Sequence, residues 1–478
     1  MRNITNRLSI LAGTLLIVFS GCQKESFLNE FSVVNQQTET VQLKSAKLKK
    51  SVIKNYMVLF SSETLPKGAE SQLSNFGKII KTIPEIGIAI VQPTTDNFEE
   101  EVGKLSSVQA VVPDLRAKWT GPSHFITKAT LDNIGKDEPY FPYQWGMLAI
   151  HAPDAWDAGY EGKNATVFIL DSGIDADHED LAPNLIKSLS TSFVPGESYN
   201  VGDSTFFSHG THIAGIIAAA DNQYGLIGVA PEAKIVAVKV ISEKDESGDF
   251  SWINEGIIYA ANKGADVINL SLGATFSKNG FFLDENNQLQ KVPAIYIQYW
   301  IQAQQRAIDY AYKKGVTIVC SAGNEYANAD GDGSILIAPA EMNHVIAVSA
   351  TAPNLLVHDI PIGTEPDYDI PASYTNYGKS LIDLAAPGGD INFYPNPNYL
   401  YNMVLSTSSR GFAFAAGTSM AAPHVAGVAA LIIGKNGGHM SPHMVTKQLL
   451  KTADKIDGNG NSSYFGKGRV NAYRAVTE

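Results

Sequence analysis

Only two cysteines, Cys22 and Cys320, occur in 478 residues. That count excludes a disulfide framework, and because Cys22 falls in an export segment it also argues against a bond between the two. Charged residues make up just 18% and the net charge is −12, so there is no basic excess to hold a nucleic acid. No internal repeat and no long low-complexity tract is visible, which excludes a repeat architecture. The apolar run Leu8 to Phe19 is too short for a comfortable membrane span. What is present is a 44% hydrophobic chain, long enough for a large core and more than one domain.

The N-terminus carries Arg2 and Arg7, then the apolar run, then Ser20-Gly21-Cys22 and polar residues from Gln23. A basic start, a short apolar stretch and small residues predict a secretory signal. A cysteine straight after small residues resembles the lipobox of bacterial lipoproteins. That resemblance implies a signal peptide over 1–21, lipid on Cys22, and a membrane as partner through that lipid. Residues 22–51 are rich in Gln, Ser, Lys and Thr without a sustained period, and read as a tether.

A small domain is expected over 52–118. Asn55 to Ser61, Lys78 to Ile83, Ile86 to Gln92 and Val108 to Val112 read as strands. Pro66 to Asn75 and Thr95 to Leu105 read as helices, the second with Asp96, Glu99 and Glu100 where the helix dipole favours them. The order β-α-β-β-α-β is the ferredoxin-like arrangement. On pattern alone, an unrelated small α+β domain stays open. Residues 119–140, with the turn signal Gly121-Pro122-Ser123, read as a linker to a domain over 141–478.

In that larger domain, apolar strands alternate with helices. Ala165 to Leu170, Lys234 to Val240, Asp266 to Leu270, Gly315 to Cys320 and Val345 to Ser349 read as strands, and Asn254 to Lys263 and Gln302 to Lys314 as helices. The alternation predicts a mostly parallel sheet with helices on both faces, an α/β fold. Polar residues collect at the carboxyl ends of these strands, where such sheets place function. Asp171 ends the first. His209, in Ser208-His209-Gly210-Thr211-His212, opens a helix in which Gly210 and Gly215 permit close packing. Ser419, in Gly417-Thr418-Ser419-Met420-Ala421-Ala422-Pro423-His424, stands at the start of a buried helix with free N–H groups beside it. Pro423 is expected in the first turn, where no helical donor is lost. Read alone, Gly417-Thr418-Ser419 is more simply the cap of a core helix.

Three blocks, VFILDSGID, SHGTHIAG and GTSMAAPHVAG, follow one another in the order Asp, His, Ser, and SAGNE stands between the second and third. Together they resemble the subtilisin-like serine proteases, or subtilases, from about Trp145 to the end. The resemblance implies a secreted endopeptidase acting on proteins or peptides through an acyl-enzyme. Its implied triad is Asp171, His209 and Ser419, with Asn324 in the oxyanion hole. It also implies that residues 52–118 are an inhibitory propeptide, the chain's own intramolecular partner. The expected product is a cell-envelope lipoprotein, or a secreted enzyme after processing. A narrow processing protease, or an inactive subtilase-like binding protein, remains the alternative.

Further positions follow from the same resemblance. Ser271-Leu272-Gly273 would pair with substrate backbone. No cofactor is implied for catalysis, but a structural calcium is, held by Asp180 and Asn222 side chains and the Ala220, Tyr224 and Leu226 carbonyls. The family's N-terminal calcium ligand has no clear counterpart. A solvated Asp and an ordinary turn would explain the same residues. His212, His424 and Cys320 read as structural. Glu325, Asp330 and Asp332 read first as a solvated acidic loop, with a preference for a basic residue before the cut bond as the other reading. Thr275 to Pro293 and roughly Pro353 to Pro371 are extra, and are expected as surface loops.

Overall fold

The first apolar-rich segments pair as their pattern demands. Tyr56–Phe60 lies between Ile88–Pro93 and Val108–Pro113, all antiparallel, and Gly77–Ile83 adds outside Ile88–Pro93. The helices Ala69–Leu73 and Phe98–Gly103 complete the β-α-β-β-α-β order. Their buried Ala69, Leu73, Phe98 and Val102 cover one face of the sheet. The structure, a computed structural model, describes residues 53–120, 124–128 (backbone alone), 138–202, 207–331, 333–354, 356, 366–409, 411–458 and 460–478. The signal segment, Cys22 and the tether lie outside the described residues, and so do Asp332 and most of the 353–371 segment.

The larger sheet carries Ile370–Pro371, Val345–Ala352, Thr317–Ser321, Val267–Leu270, Thr166–Asp171, Lys234–Lys239 and Thr191–Ser192 side by side in that order. Every neighbouring pair is parallel except that of Ile370–Pro371 with Val345–Ala352. The central strands are buried along their length, as continuous apolar runs in a sheet covered on both faces must be. The helices His209–Ala218 and Thr418–Lys435 pack against each other. Both are apolar nearly all round, and both are buried through most of their length.

Three expectations change. Thr418–Lys435 begins at Thr418, so Pro423 sits in the second turn and not the first. Its missing N–H strands the Ser419 carbonyl, four residues back, and Ser271 Oγ donates to that oxygen at 2.8 Å instead. The 275–293 segment is not a loop. Ala274–Ser277 pairs with Ile335–Ala338, and Phe281–Leu283 with Leu289–Lys291 form a hairpin beside it. Within the span read as a linker, His124–Lys128 pairs with Gly411–Ala416, and Trp119 is fully buried.

Candidate active site

Asp171 ends its strand with 1% of its surface exposed, and His209 opens its helix at 8%. His209 Nδ1–H donates to the Asp171 carboxylate, 2.8 Å from Oδ1 and 3.0 Å from Oδ2. Asp171 Oδ1 also accepts from Ser172 N at 2.7 Å. Close approach of strand end and helix depends on Gly210. A Cβ there would stand 2.2 Å from the Gly173 carbonyl and 3.2 Å from Asp171. Burial alone would lower the His209 pKa, but the Asp171 charge and hydrogen bond outweigh it and Glu246 adds to them, so the net shift is upward. With Nδ1 committed to Asp171, Nε2 is the nitrogen left to exchange a proton.

Ser419 is 9% exposed near the start of its helix, and its Oγ donates to the Ser271 carbonyl at 3.3 Å. Asn324 faces it from the loop after Thr317–Ser321. Asn324 Oδ1 accepts from Thr418 N at 2.9 Å and from Thr418 Oγ at 2.8 Å. Both bonds use the amide oxygen, so the NH2 end is left for the cleft. Ser419, Asn324, Thr418, Gly323, Gly273 and Trp119 line one cavity. Of the three residues expected to pair with substrate, Gly273 N donates to the carbonyl of the chain's own Trp119 at 2.6 Å. Ser271 differs: its Oγ braces the nucleophile's carbonyl and accepts in turn from Asn269 Nδ2 at 2.9 Å.

Glu325 also lines the cavity. Its Oε2 accepts from Asn376 Nδ2 at 2.7 Å, and burial raises its pKa. Asp330 instead takes the Lys379 and Ser380 N–H groups, at 2.6 and 2.9 Å, and closes a turn. His212 Nε2 meets the Ala413 carbonyl and His424 Nδ1 the Met420 carbonyl, at 3.1 and 2.8 Å. Burial drops their pKa values to about 3 and about 4, so both are neutral packing groups. Cys320 is buried and free, and burial pushes its thiol pKa up.

The chain belongs to the subtilase family. The family's pattern matches residues 162–468. The chain is 33% identical over 404 residues to the thermophilic serine proteinase of Bacillus sp. strain AK1, covering 83% of each. It is 36% identical over 345 residues to thermitase of Thermoactinomyces vulgaris, covering 71% of this chain and 98% of thermitase. The solved epidermin leader peptide processing serine protease of Staphylococcus aureus superposes with a TM-score of 0.70 at 23% identity, over 88% of this chain and 97% of that one. That last likeness is one of fold.

In this subtilase the roles of three supporting residues carried no signal in the sequence. Thr418 is one. Lys239 is the second: its fully buried ammonium donates to the Ser172 carbonyl and pairs with Glu197 at 3.1 Å, bracing the turn after Asp171. The third is Glu138. Its Oε1 accepts from Asn222 N and Gln223 N at 2.7 and 2.8 Å, which brings it to the loop expected to hold calcium. There Asp180 accepts from Leu226 N at 3.2 Å through Oδ2 and from Ala220 N at 2.8 Å through its carbonyl, and Asn222 Oδ1 accepts from Tyr224 N at 3.0 Å. Glu138 Oε2 and Asp180 Oδ1 are buried without a hydrogen-bond partner. Burial, with each carboxylate's acidic neighbours, raises Glu138 to about 7 and Asp180 to about 8. Two buried carboxylates with orphaned oxygens, both bonded to the 222–226 loop, fit a hard cation.

Proposed function

We propose that this subtilase is an exported endopeptidase working through Asp171, His209 and Ser419. Ser419 Oγ attacks the peptide carbonyl and gives its proton to His209 Nε2, breaking its bond to the Ser271 carbonyl. His209 passes the proton to the leaving amine, and the acyl-enzyme is hydrolysed by the reverse sequence. Asp171 holds the imidazole in the tautomer with Nε2 free and stabilises its charged form. The oxyanion meets the Asn324 amide and the Ser419 N–H at the helix start. The observation that carries this reading is the buried Asp171–His209 pair at 2.8 Å. Ser419→Ala should abolish casein hydrolysis while leaving the melting temperature close to wild type. Hydrolysis retained by that variant would overturn the assignment.

Residues 52–118 are proposed as the inhibitor of this site. In support, Arg116–Lys118, just beyond the small sheet, pairs antiparallel with Ser247–Asp249, and the next residue, Trp119, reaches the cavity of Ser419. Export and lipid attachment at Cys22 are proposed from the N-terminal sequence. A structural calcium is proposed at Glu138, Asp180 and Asn222 with the Ala220, Tyr224 and Leu226 carbonyls. It would stiffen the loop and take no part in the chemistry.

A further inference from the structure

The segment entering the cleft, Arg116-Ala117-Lys118-Trp119, is held side chain by side chain. Arg116 Nε donates to Asp249 Oδ1 at 3.0 Å, its Nη1 lies 3.6 Å from Asp245, and its guanidinium stacks 4.6 Å from the Trp252 ring. Burial opposes the Arg116 charge, but Asp249, Asp245 and Glu285 outweigh it. Lys118 Nζ pairs with Glu246 at 3.0 Å and donates to the Asp245 carbonyl at 3.0 Å, with 15% of the side chain exposed. Ala117 is fully buried between two backbones, Gly248 on one side and Asp284 of the inserted hairpin on the other.

Trp119 closes the set. Its indole N–H donates to the Gly248 carbonyl at 2.9 Å. Its ring meets Phe250 edge-on at 4.9 Å and Phe276 at 6.3 Å, and Phe282 and Trp300 extend the aromatic wall behind them. Phe276 and Phe282 come from the inserted strands. The acids and the aromatic box all belong to the peptidase domain and not to the segment they hold.

We propose that this channel selects extended peptide segments with a basic-small-basic-aromatic run on the amino side of the bond cut. The substrate class is then cationic peptides or cationic unfolded stretches carrying tryptophan or another large aromatic. The proposal rests on the peptidase reading. Partly exposed ion pairs add little affinity one by one, so discrimination comes largely from rejecting acids that would face Asp245, Glu246, Asp249 and Glu285. The aromatic box supplies the buried anchor.

The test uses the full chain with Ser419→Ala and Trp119→Ala, which weakens the internal occupant. Labelled peptides containing Arg-Ala-Lys-Trp, Glu-Ala-Glu-Trp or Arg-Ala-Lys-Ala are titrated by fluorescence anisotropy. The first should bind at least about tenfold more tightly than either other. Asp249→Asn with Glu246→Gln should narrow the gap between the two Trp peptides. Equal binding of all three, or none, overturns the proposal. If the doubly substituted chain fails to fold, kcat/KM of wild type on the same peptides reads the same ranking. Ranked binding without cleavage by wild type would remove the peptidase reading and leave the recognition. Cleavage without ranking would do the reverse.

Discussion

Thr418 decides which end of Asn324 faces the cleft. Its N–H and hydroxyl both donate to Asn324 Oδ1, and its Oγ accepts from Gly323 N at 3.1 Å. Asn324→Ala should lower kcat by roughly 10²–10³, the cost of one such donor in subtilisin, with KM little changed. Thr418→Ser keeps the hydroxyl and should keep most activity, whereas Thr418→Val should lose part of kcat by letting the amide turn. Equal kcat for Ser and Val variants would show that the hydroxyl does not orient Asn324. The raised His209 pKa sets the acid side of the pH profile. The imidazole must be neutral to accept a proton, so kcat/KM should fall as pH drops through a value above 6.5, the ordinary histidine value. Asp171→Asn removes the charge that raises it. The limb should then move to lower pH, and kcat should fall by about 10⁴. Asp171, His209, Asn324 and Ser419 were readable in the sequence because each stands at a strand end or helix start within its own short block. The roles of Thr418, Lys239 and Glu138 were not, because each acts on a partner far along the chain, and nothing local records the pairing.

At the level of elements, the strands and helices that hold the site follow from continuous apolar runs, and their ends shift by a few residues, except that the helix expected from Gln302 already begins at Ala294. The exceptions have physical causes. Pro423 is accommodated because Ser271 satisfies the carbonyl it strands, a compensation from 148 residues away. The hairpin of the extra segment is built from strands of three residues each, too short to show a period against the polar turn between them. The helix His209–Ala218 seats against the Asp171 turn only because Gly210 has no side chain. Gly210→Ala should therefore cost about 1–3 kcal/mol of stability and reduce kcat as well, since it pushes His209 away from Asp171. Thermal melts and steady-state kinetics on one preparation check both. The calcium loop gives a second test at this scale. A cation bound only by the native state stabilises it by mass action, so chelator should lower the melting temperature of wild type. Glu138→Gln should shrink that response. A melting temperature indifferent to chelator would remove the calcium proposal and leave two buried carboxylates to be held protonated.

Across the whole molecule, the small domain meets the peptidase domain through contacts that no local pattern could forecast. Arg306, on the helix Ala294–Lys313, donates through Nη1 to the Phe60 and Ile86 carbonyls at 3.0 and 3.2 Å, and through Nη2 to Gln109 at 2.7 Å. Asp114 accepts from Ser251 N and Oγ, at 3.2 and 2.6 Å, at the start of the helix Phe250–Asn262. Trp300 Nε1 donates to the Pro113 carbonyl at 2.9 Å, and Lys81 pairs with Glu255. A large parallel sheet is slow to form because its contacts are non-local, so a preformed surface docked on two of its helices is a physically useful template. If residues 52–118 template and block the enzyme, the mature form arises by a cut within 119–140. That cut also separates the enzyme from any lipid on Cys22, and non-covalent contacts such as these then keep the two pieces together. Wild type should therefore appear as two fragments that co-elute on size exclusion, and Ser419→Ala as one uncut chain. Arg306→Ala removes charge-assisted bonds of about 1.5–3 kcal/mol each, so its fragments should separate more readily and its peptidase activity should rise sooner. A wild type that stays at full length while hydrolysing peptides would mean that the uncut chain is the working form, and that the small domain is not a removable inhibitor.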